Sequence, residues 1–303
     1  MTSDSNSRRT AVITGAASGF GLEASRIAAR RGMNVVMADV DAAALQLAAR
    51  EIESLGAAVL PFRLDVSKAA EVEALGAATL ARWGAPHLVF NNAGVGAGGL
   101  IWEHRASDWD WVLGVNLMGV AHGVRVFTPA MLAAAAADPE WEGHIVNTAS
   151  MAGLVNMPTM GVYNVSKHAV VALSETLFQD LALATSQVHA HVLCPFFVPT
   201  GIAHSERHRA GDEGQRAAPT PSQRIAQQQL ERAVSRGKVS AAEVAQFVFD
   251  AVDAKRFYIY SHPGALSGVK SRMEDILALR DPSDPYAAQP EIGAQLRQAL
   301  RRT

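Results

Sequence analysis

Short runs of apolar and β-branched residues alternate along this chain with longer stretches whose apolar residues recur every three or four positions. The short runs are Ala11 to Thr14, Asn34 to Ala38, Ala58 to Leu64, His87 to Asn91, His144 to Thr148, Val188 to Leu193 and Arg256 to Tyr260. They read as strands of a parallel sheet covered on both faces. Between them, Leu45, Ala48, Ile52 and Leu55 share one helix face, and Val72, Leu75 and Thr79 share another. Right-handed crossovers then predict an α/β, Rossmann-like doubly wound fold with seven mostly parallel strands and ligands at their carboxyl ends.

The same pattern divides the chain. Residues 1–9 are polar and read as a flexible tail, 10–262 as one catalytic domain, and 263–303 as a C-terminal helical extension with a helix at Ser267 to Leu279. Gly201 to Lys238 is rich in Gly, Pro, Gln and Arg and too long for a simple connection, so it is a lid or a mobile linker. Its place after the sixth strand favours a substrate lid.

Charge and cysteine content remove whole classes of function. A net charge of -2 gives no footprint for nucleic acid or an anionic membrane. The tail lacks the apolar core of a signal peptide, and the sequence predicts no membrane span. Cys194, the single cysteine, fits a reducing compartment, so the expected location is cytoplasmic, and the balanced charge makes the expected partner a small neutral or weakly charged molecule.

Chemistry first shows after the first strand, in Thr14-Gly15-Ala16-Ala17-Ser18-Gly19-Phe20-Gly21, which opens a helical stretch. Glycines there let the backbone approach a pyrophosphate seated on the helix N-terminus. Asp39 ends the second strand, 18 residues beyond Gly21, where a carboxylate accepts ribose hydroxyls and repels a 2′-phosphate. Neither Ser18 nor Val40 offers a cation, so NAD(H) is favoured over NADP(H). Asp41 caps the next helix.

Tyr163 and Lys167 stand four residues apart on one predicted helix face, and Ser150 follows the fifth strand at the ligand edge of the sheet. Ketone reduction needs a proton donor where charge develops while hydride reaches carbon. A phenol ordinarily near 10 must be lowered by about 4 kcal/mol to act as a base near neutrality, and one cation about 4 Å away supplies on the order of that. Lys167 is the expected source, with Ser150 holding the substrate oxygen.

These motifs, with Asp65, Asn91-Asn92-Ala93-Gly94, Asn116 and Pro195 to Thr200, resemble the short-chain dehydrogenase/reductase family over about residues 10–262. The resemblance implies that Asp65 and Val66 contact adenine and that Asn92, Ala93 and Gly94 line the cofactor. It also implies that Asn116 anchors a proton-relay water, Lys167 holds the nicotinamide ribose, and Val198 and Thr200 bind the carboxamide. Homodimers or homotetramers through the long helices are implied too. Phe196 departs from the family, which usually has glycine after that proline; Phe196 and Phe197 form a substrate wall or pack in the core. Leu154, Met157, Met160 and Ile202 are the other expected substrate contacts, none of them charged. An alcohol dehydrogenase or ketoreductase for a bulky apolar substrate follows; an epimerase or dehydratase, or a silent dinucleotide-binding protein, are the alternatives. Ten histidines show no metalloprotease-like spacing, and no metal is expected.

Overall fold

The computed structural model describes residues 8–209 and 218–301. Most of the expected tail, and residues 210–217 of the expected lid, lie outside the described residues. The chain alternates strands and helices as β1 (Thr10–Thr14), α1 (Gly19–Arg30), β2 (Asn34–Asp39), α2 (Ala42–Ser54), β3 (Val59–Arg63), α3 (Ala69–Trp83) and β4 (Leu88–Asn91). It continues through α4 (Ala106–Leu113), α5 (Gly119–Ala137), β5 (Gly143–Thr148), α6 (Gly161–Ala184) and β6 (Val188–Cys194). After these come α7 (Pro221–Ser235), α8 (Ala241–Asp253), β7 (Tyr258–Tyr260), α9 (Leu266–Leu277) and α10 (Pro290–Arg301).

All seven strands pair in parallel in the order β3-β2-β1-β4-β5-β6-β7. The order reverses between β1 and β4, which opens a crevice beyond their carboxyl ends. Strand residues Val12, Ile13, Val35, Val36, Val89 and Phe90 are almost fully buried because helices cover both faces. One face packs on α1, α2 and α8 through Ala24, Leu45, Ile52, Val244 and Val248; the other packs on α3, α5 and α6 through Val72, Leu75, Phe127 and Leu177. The helix faces read from residue spacing are the faces that pack, except for Leu55, which caps the end of α2 and is 42% exposed.

Two expectations change here. The run Ala106–Ala137 is continuous helix, long and apolar enough by length and composition to cross a membrane. The sequence reading expected no run of that length; in the fold α5 lies across the sheet against α3, β4 and β5. The joint, Gly114–Met118, is a π-helical turn. The second change is in Gly201 to Lys238, the expected lid, whose described residues are largely helical: a 3-10 segment, Gly201–His208, leads toward α7. α7 begins with Thr220 as N-cap, Pro221 in the first turn and Gln223 closing a capping box, a start signal present in the sequence but masked by the polar composition of the segment. This segment is tied to the loop after β4 and to α4. Gly96 N donates to Ser205 Oγ at 3.1 Å, Leu100 N donates to Ser222 Oγ at 2.9 Å, and Arg209 meets the buried Asp108 at 2.8 Å.

Candidate active site

One cleft of about 2070 Å³ runs along the carboxyl ends of the strands, more than the roughly 300–1,000 Å³ that a single small ligand fills. At one end is the loop after β1. Gly15 has φ +64°, and a Cβ there would lie 3.0 Å from Ala93 Cα and 3.1 Å from Asn92 Nδ2. A Cβ on Gly21 would fall 2.1 Å from the Gly15 carbonyl oxygen, so α1 can approach this closely only with glycine. Ser18, the N-cap of α1, makes no side-chain capping bond. The first N–H groups of α1 keep their capacity for an anion, and Gly15, Ser18, Gly19 and Phe20 all line the cleft.

Asp39 is fixed beside that loop: Ala17 N donates to Oδ2 and Asp41 N to Oδ1, both at 3.0 Å. Asp41 caps α2, as expected, by accepting from Ala44 N at 3.0 Å. Asp65 is held by Ser67, whose N and Oγ donate to it at 2.9 and 2.7 Å, and Val66 lines the cleft next to it. The loop after β4 is stitched to β1, since Asn92 N and Ala93 N both donate to Thr14 Oγ1, at 2.9 and 3.1 Å. Thr14 opened the glycine motif read from sequence but was not among the expected cofactor contacts, and its bracing role was not foreseen. These glycine surfaces, free N–H groups and paired acceptors fit a nicotinamide dinucleotide.

Ser150, Tyr163 and Lys167 meet at the middle of the cleft, which all three line. Ser150 Oγ accepts from Ala152 N at 3.1 Å and donates to Pro195 O over a long 3.3 Å. The buried Lys167 Nζ donates to the Thr148 carbonyl at 2.8 Å and lies 5.7 Å from the centroid of the Tyr163 ring. Burial pushes the Tyr163 phenol up to about 12, against the opposing hydrogen bond of Ser150, and pushes Lys167 down to about 8. The expectation that Lys167 lowers the tyrosine is therefore corrected for the protein by itself: desolvation outweighs the hydrogen bond from Ser150, and it also disfavours the charge on Lys167.

Asn116 sits in the π-helical turn and is fully buried, off the cleft surface. Its Oδ1 accepts from Val95 N at 2.8 Å, and its Nδ2 donates to Val95 O and Ser166 Oγ, both at 3.0 Å. Its amide thus braces the loop after β4 against α6. Close by, a Cβ on Gly94 would be 3.5 Å from Asn116 Oδ1 and 3.6 Å from Lys167 Nζ.

Of the expected substrate contacts, Met157, Met160, Phe196, Phe197 and Ile202 line the cleft, with Phe196 still 42% exposed and its ring 4.6 Å from that of Phe197. Leu154 is a correction: it turns into the core against Val170 and Val171, because the short 3-10 turn Met151–Gly153 reverses the chain before it. Val198 is buried at 3% exposure and Thr200 stands near Gly19, both at the cofactor end. Burial raises the Cys194 thiol to about 12, an inert core thiol. The strand histidines are mostly satisfied: His144 Nδ1 meets His191 Nε2 at 3.1 Å and His191 Nδ1 meets Arg256 O at 2.7 Å. His189 Nε2, expected to be satisfied, has no hydrogen-bond partner among the described residues.

The C-terminal segment supplies wall that sequence reasoning did not foresee. Ser267, Arg272 and Ile276 of α9 and Ile292 of α10 line the cleft, as do Gln229, Arg232 and Arg236 in and just after α7. The long sequence separation of these elements hid the contact.

The comparisons agree with this geometry. The short chain dehydrogenase family profile matches residues 9–211. A short chain dehydrogenase/reductase from Burkholderia phymatum, solved in complex with NAD, superposes with a TM-score of 0.87 at 52% identity, covering 93% of this chain and 99% of that one. The CLA biosynthesis dehydrogenase/reductase of Lactiplantibacillus plantarum is 34% identical over 268 residues, 88% of this chain and 92% of the relative. The 1-deoxy-11-beta-hydroxypentalenate dehydrogenase of Streptomyces exfoliatus is 32% identical over 270 residues, 88% of each chain. With a family profile over most of its length and relatives aligned nearly end to end, this chain belongs to the short chain dehydrogenase family of oxidoreductases.

Proposed function

We propose that the protein is an NAD(H)-dependent oxidoreductase that interconverts a secondary alcohol and a ketone on a bulky, largely apolar substrate. The observation that carries this reading is the meeting of Ser150, Tyr163 and Lys167 on one wall of a cleft whose other end fits a dinucleotide. Gly15, Ser18, Gly19, Phe20 and Gly21 would hold the pyrophosphate, Asp39 the adenosine ribose, and Asp65 and Val66 the adenine. Asn92 to Gly94, Lys167, Val198 and Thr200 would hold the nicotinamide end. When bound, the nicotinamide supplies or accepts the hydride and, oxidised, adds a positive charge.

The rest follows from this chain's own groups. Tyr163, held near 12 by burial, stays protonated at neutrality and donates its proton to the carbonyl oxygen as that oxygen gains charge. Ser150 Oγ turns from its long bond to Pro195 O toward the same oxygen. Lys167, anchored on Thr148 O, stabilises the phenolate left behind and returns the proton from solvent. Asn116 keeps the loop after β4 and α6 in register, so that these groups hold their spacing. In the alcohol-oxidising direction each step reverses. The NAD complex of the Burkholderia protein supports the cofactor reading. Exposed Val165, Phe178 and Leu183 on α6 support association of subunits through the long helices.

The test is absorbance at the nicotinamide band with purified protein and a panel of aryl and alkyl ketones and alcohols of increasing size. Tyr163→Phe is expected to keep cofactor binding and lose at least about 10²-fold in turnover, the scale of one general acid. A variant that retains more than a tenth of the rate would refute the role of Tyr163.

A further inference from the structure

The residues that the sequence placed around the carbonyl site are all uncharged, but the fold adds charge to the same cleft. Arg232 on α7, Arg236 just after it, and Arg272 on α9 line it, and none has a side-chain partner among the described residues. The acids on that wall are already engaged: Asp275 pairs with Arg280 at 3.1 Å and accepts from Ser283 N at 2.9 Å, and Asp284 faces Arg297 at 3.6 Å. Among the described residues the wall therefore carries uncompensated positive charge, in a chain whose net charge is -2.

The packing of these helices locates the charge at the substrate half. α7 lies against the loop after β4, where Cβ atoms built on Gly96 and Gly98 would meet Leu230 at 3.6 Å and Ala226 at 2.7 Å. On α9, one turn before Arg272, a Cβ on Gly268 would stand 3.5 Å from Val155, which lies between Ser150 and Met157. Arg236 differs, because its neighbour Gly237 abuts Phe197 O and Pro199 at the nicotinamide end. The assignment therefore rests on Arg232 and Arg272.

We propose that the substrate carries an anionic terminus, a carboxylate or a phosphate, seated by Arg232 and Arg272, with its apolar body along Met157, Met160, Phe196 and Phe197. This deepens the alcohol/ketone reading and rests on it for the reacting end. A guanidinium presents a planar fork of donors that matches either oxyanion, and a concave wall of one sign concentrates anions locally. Arg232 is solvent-exposed and Arg272 half-buried, so each arginine is worth about threefold in affinity, near 0.7 kcal/mol, and the two together about tenfold.

The experiment uses the full-length protein and one long-chain ketone body ending in a carboxylate, a phosphate or a methyl ester. KM is measured for each in wild type, Arg232→Gln, Arg272→Gln and the double variant, at low and high salt, with the KM for NAD alongside. Calorimetric binding of the same compounds gives a readout independent of turnover. The expected result is about tenfold tighter binding of an anion than of the ester, lost stepwise in the variants and weakened by salt, with the ester and NAD constants unchanged. Preference for carboxylate over phosphate, or the reverse, identifies the terminus. Equal binding of anion and ester, or a matching rise in the KM for NAD, would overturn the assignment. Tight, arginine-dependent binding of the anion without turnover of any compound would instead overturn the oxidoreductase reading and leave the anion site standing.

Discussion

Replacing Asp39 by asparagine removes one negative charge from the ribose end of the cleft and keeps the shape of the side chain. The carboxylate is held at both oxygens, by Ala17 N and Asp41 N at 3.0 Å each, so it cannot swing away from a 2′-phosphate. Two like charges about 4 Å apart repel by about 1 kcal/mol in water and about 4 kcal/mol at an effective dielectric of 20. Asp39 is half-buried, which puts the repulsion near 2 to 3 kcal/mol, or roughly 30- to 100-fold in preference. Nearby cations do not cancel it. Arg63 is the register partner of Asp39 on β3 but sits 3.5 Å from Glu71, and Lys68 lines the cleft on the far side of Asp65 and Ser67 in sequence. The wild-type ratio of kcat/KM for NAD over NADP, measured at saturating alcohol and two ionic strengths, is expected to be at least about tenfold and to shrink with salt. Asp39→Asn is expected to lower that ratio by at least about tenfold, mostly through the KM for NADP. A wild-type preference for NADP, or a ratio that the substitution leaves unchanged, refutes the electrostatic argument.

Asn116→Ala strands the Val95 N–H and C=O groups and removes a partner of Ser166, three hydrogen bonds worth about 1 kcal/mol each. Thermal unfolding is expected to fall by about 5 °C, and a change under about 1 °C would mean that the brace contributes nothing. In acid, His144 and His191, each held down to about 4 chiefly by burial, bind fewer protons folded than unfolded between about pH 6.5 and 4. Stability is thus complete above that window and is lost as pH falls through it, by at most about 1.4 kcal/mol per pH unit for each histidine. Glu142, Lys255 and His189 face this pair, and the double variant His144→Gln/His191→Gln should flatten the acid limb of a Tm-against-pH curve; an unchanged limb would place the acid sensitivity elsewhere.

What was legible in the sequence is what local periodicity and short-range spacing encode. All seven strands appeared within about two residues of their observed ends: the inner strands are compact apolar runs buried on both faces, and the partly exposed edge strands β3 and β7 still show as runs rich in apolar and aromatic residues. The glycine loop, Asp39, Ser150, Tyr163 and Lys167 were legible for a related reason: each occupies a strand end or a helix turn, and the doubly wound topology delivers every such position to one edge. Features that depend on a partner far away in the chain were not. Leu154 differs from Met157 only in which side of a short turn it leaves, and packing against Val170 and Val171 decided that. The amide of Asn116 was spoken for by Val95 and Ser166, neither of which any motif marks as its neighbour. The protonation of Tyr163 followed from how deeply the fold buries it, a quantity that spacing from Lys167 does not contain. Nothing in the sequence marked Arg232 or Arg272; only the docking of α7 and α9 beside the loops after β4 and β5 brings their charge to the cleft. Sequence thus determined which residues stand at strand ends and helix faces, through steric and hydrophobic rules that act over a few positions. The tertiary structure decided burial and charge, because both are sums over neighbours that chain connectivity alone does not bring together.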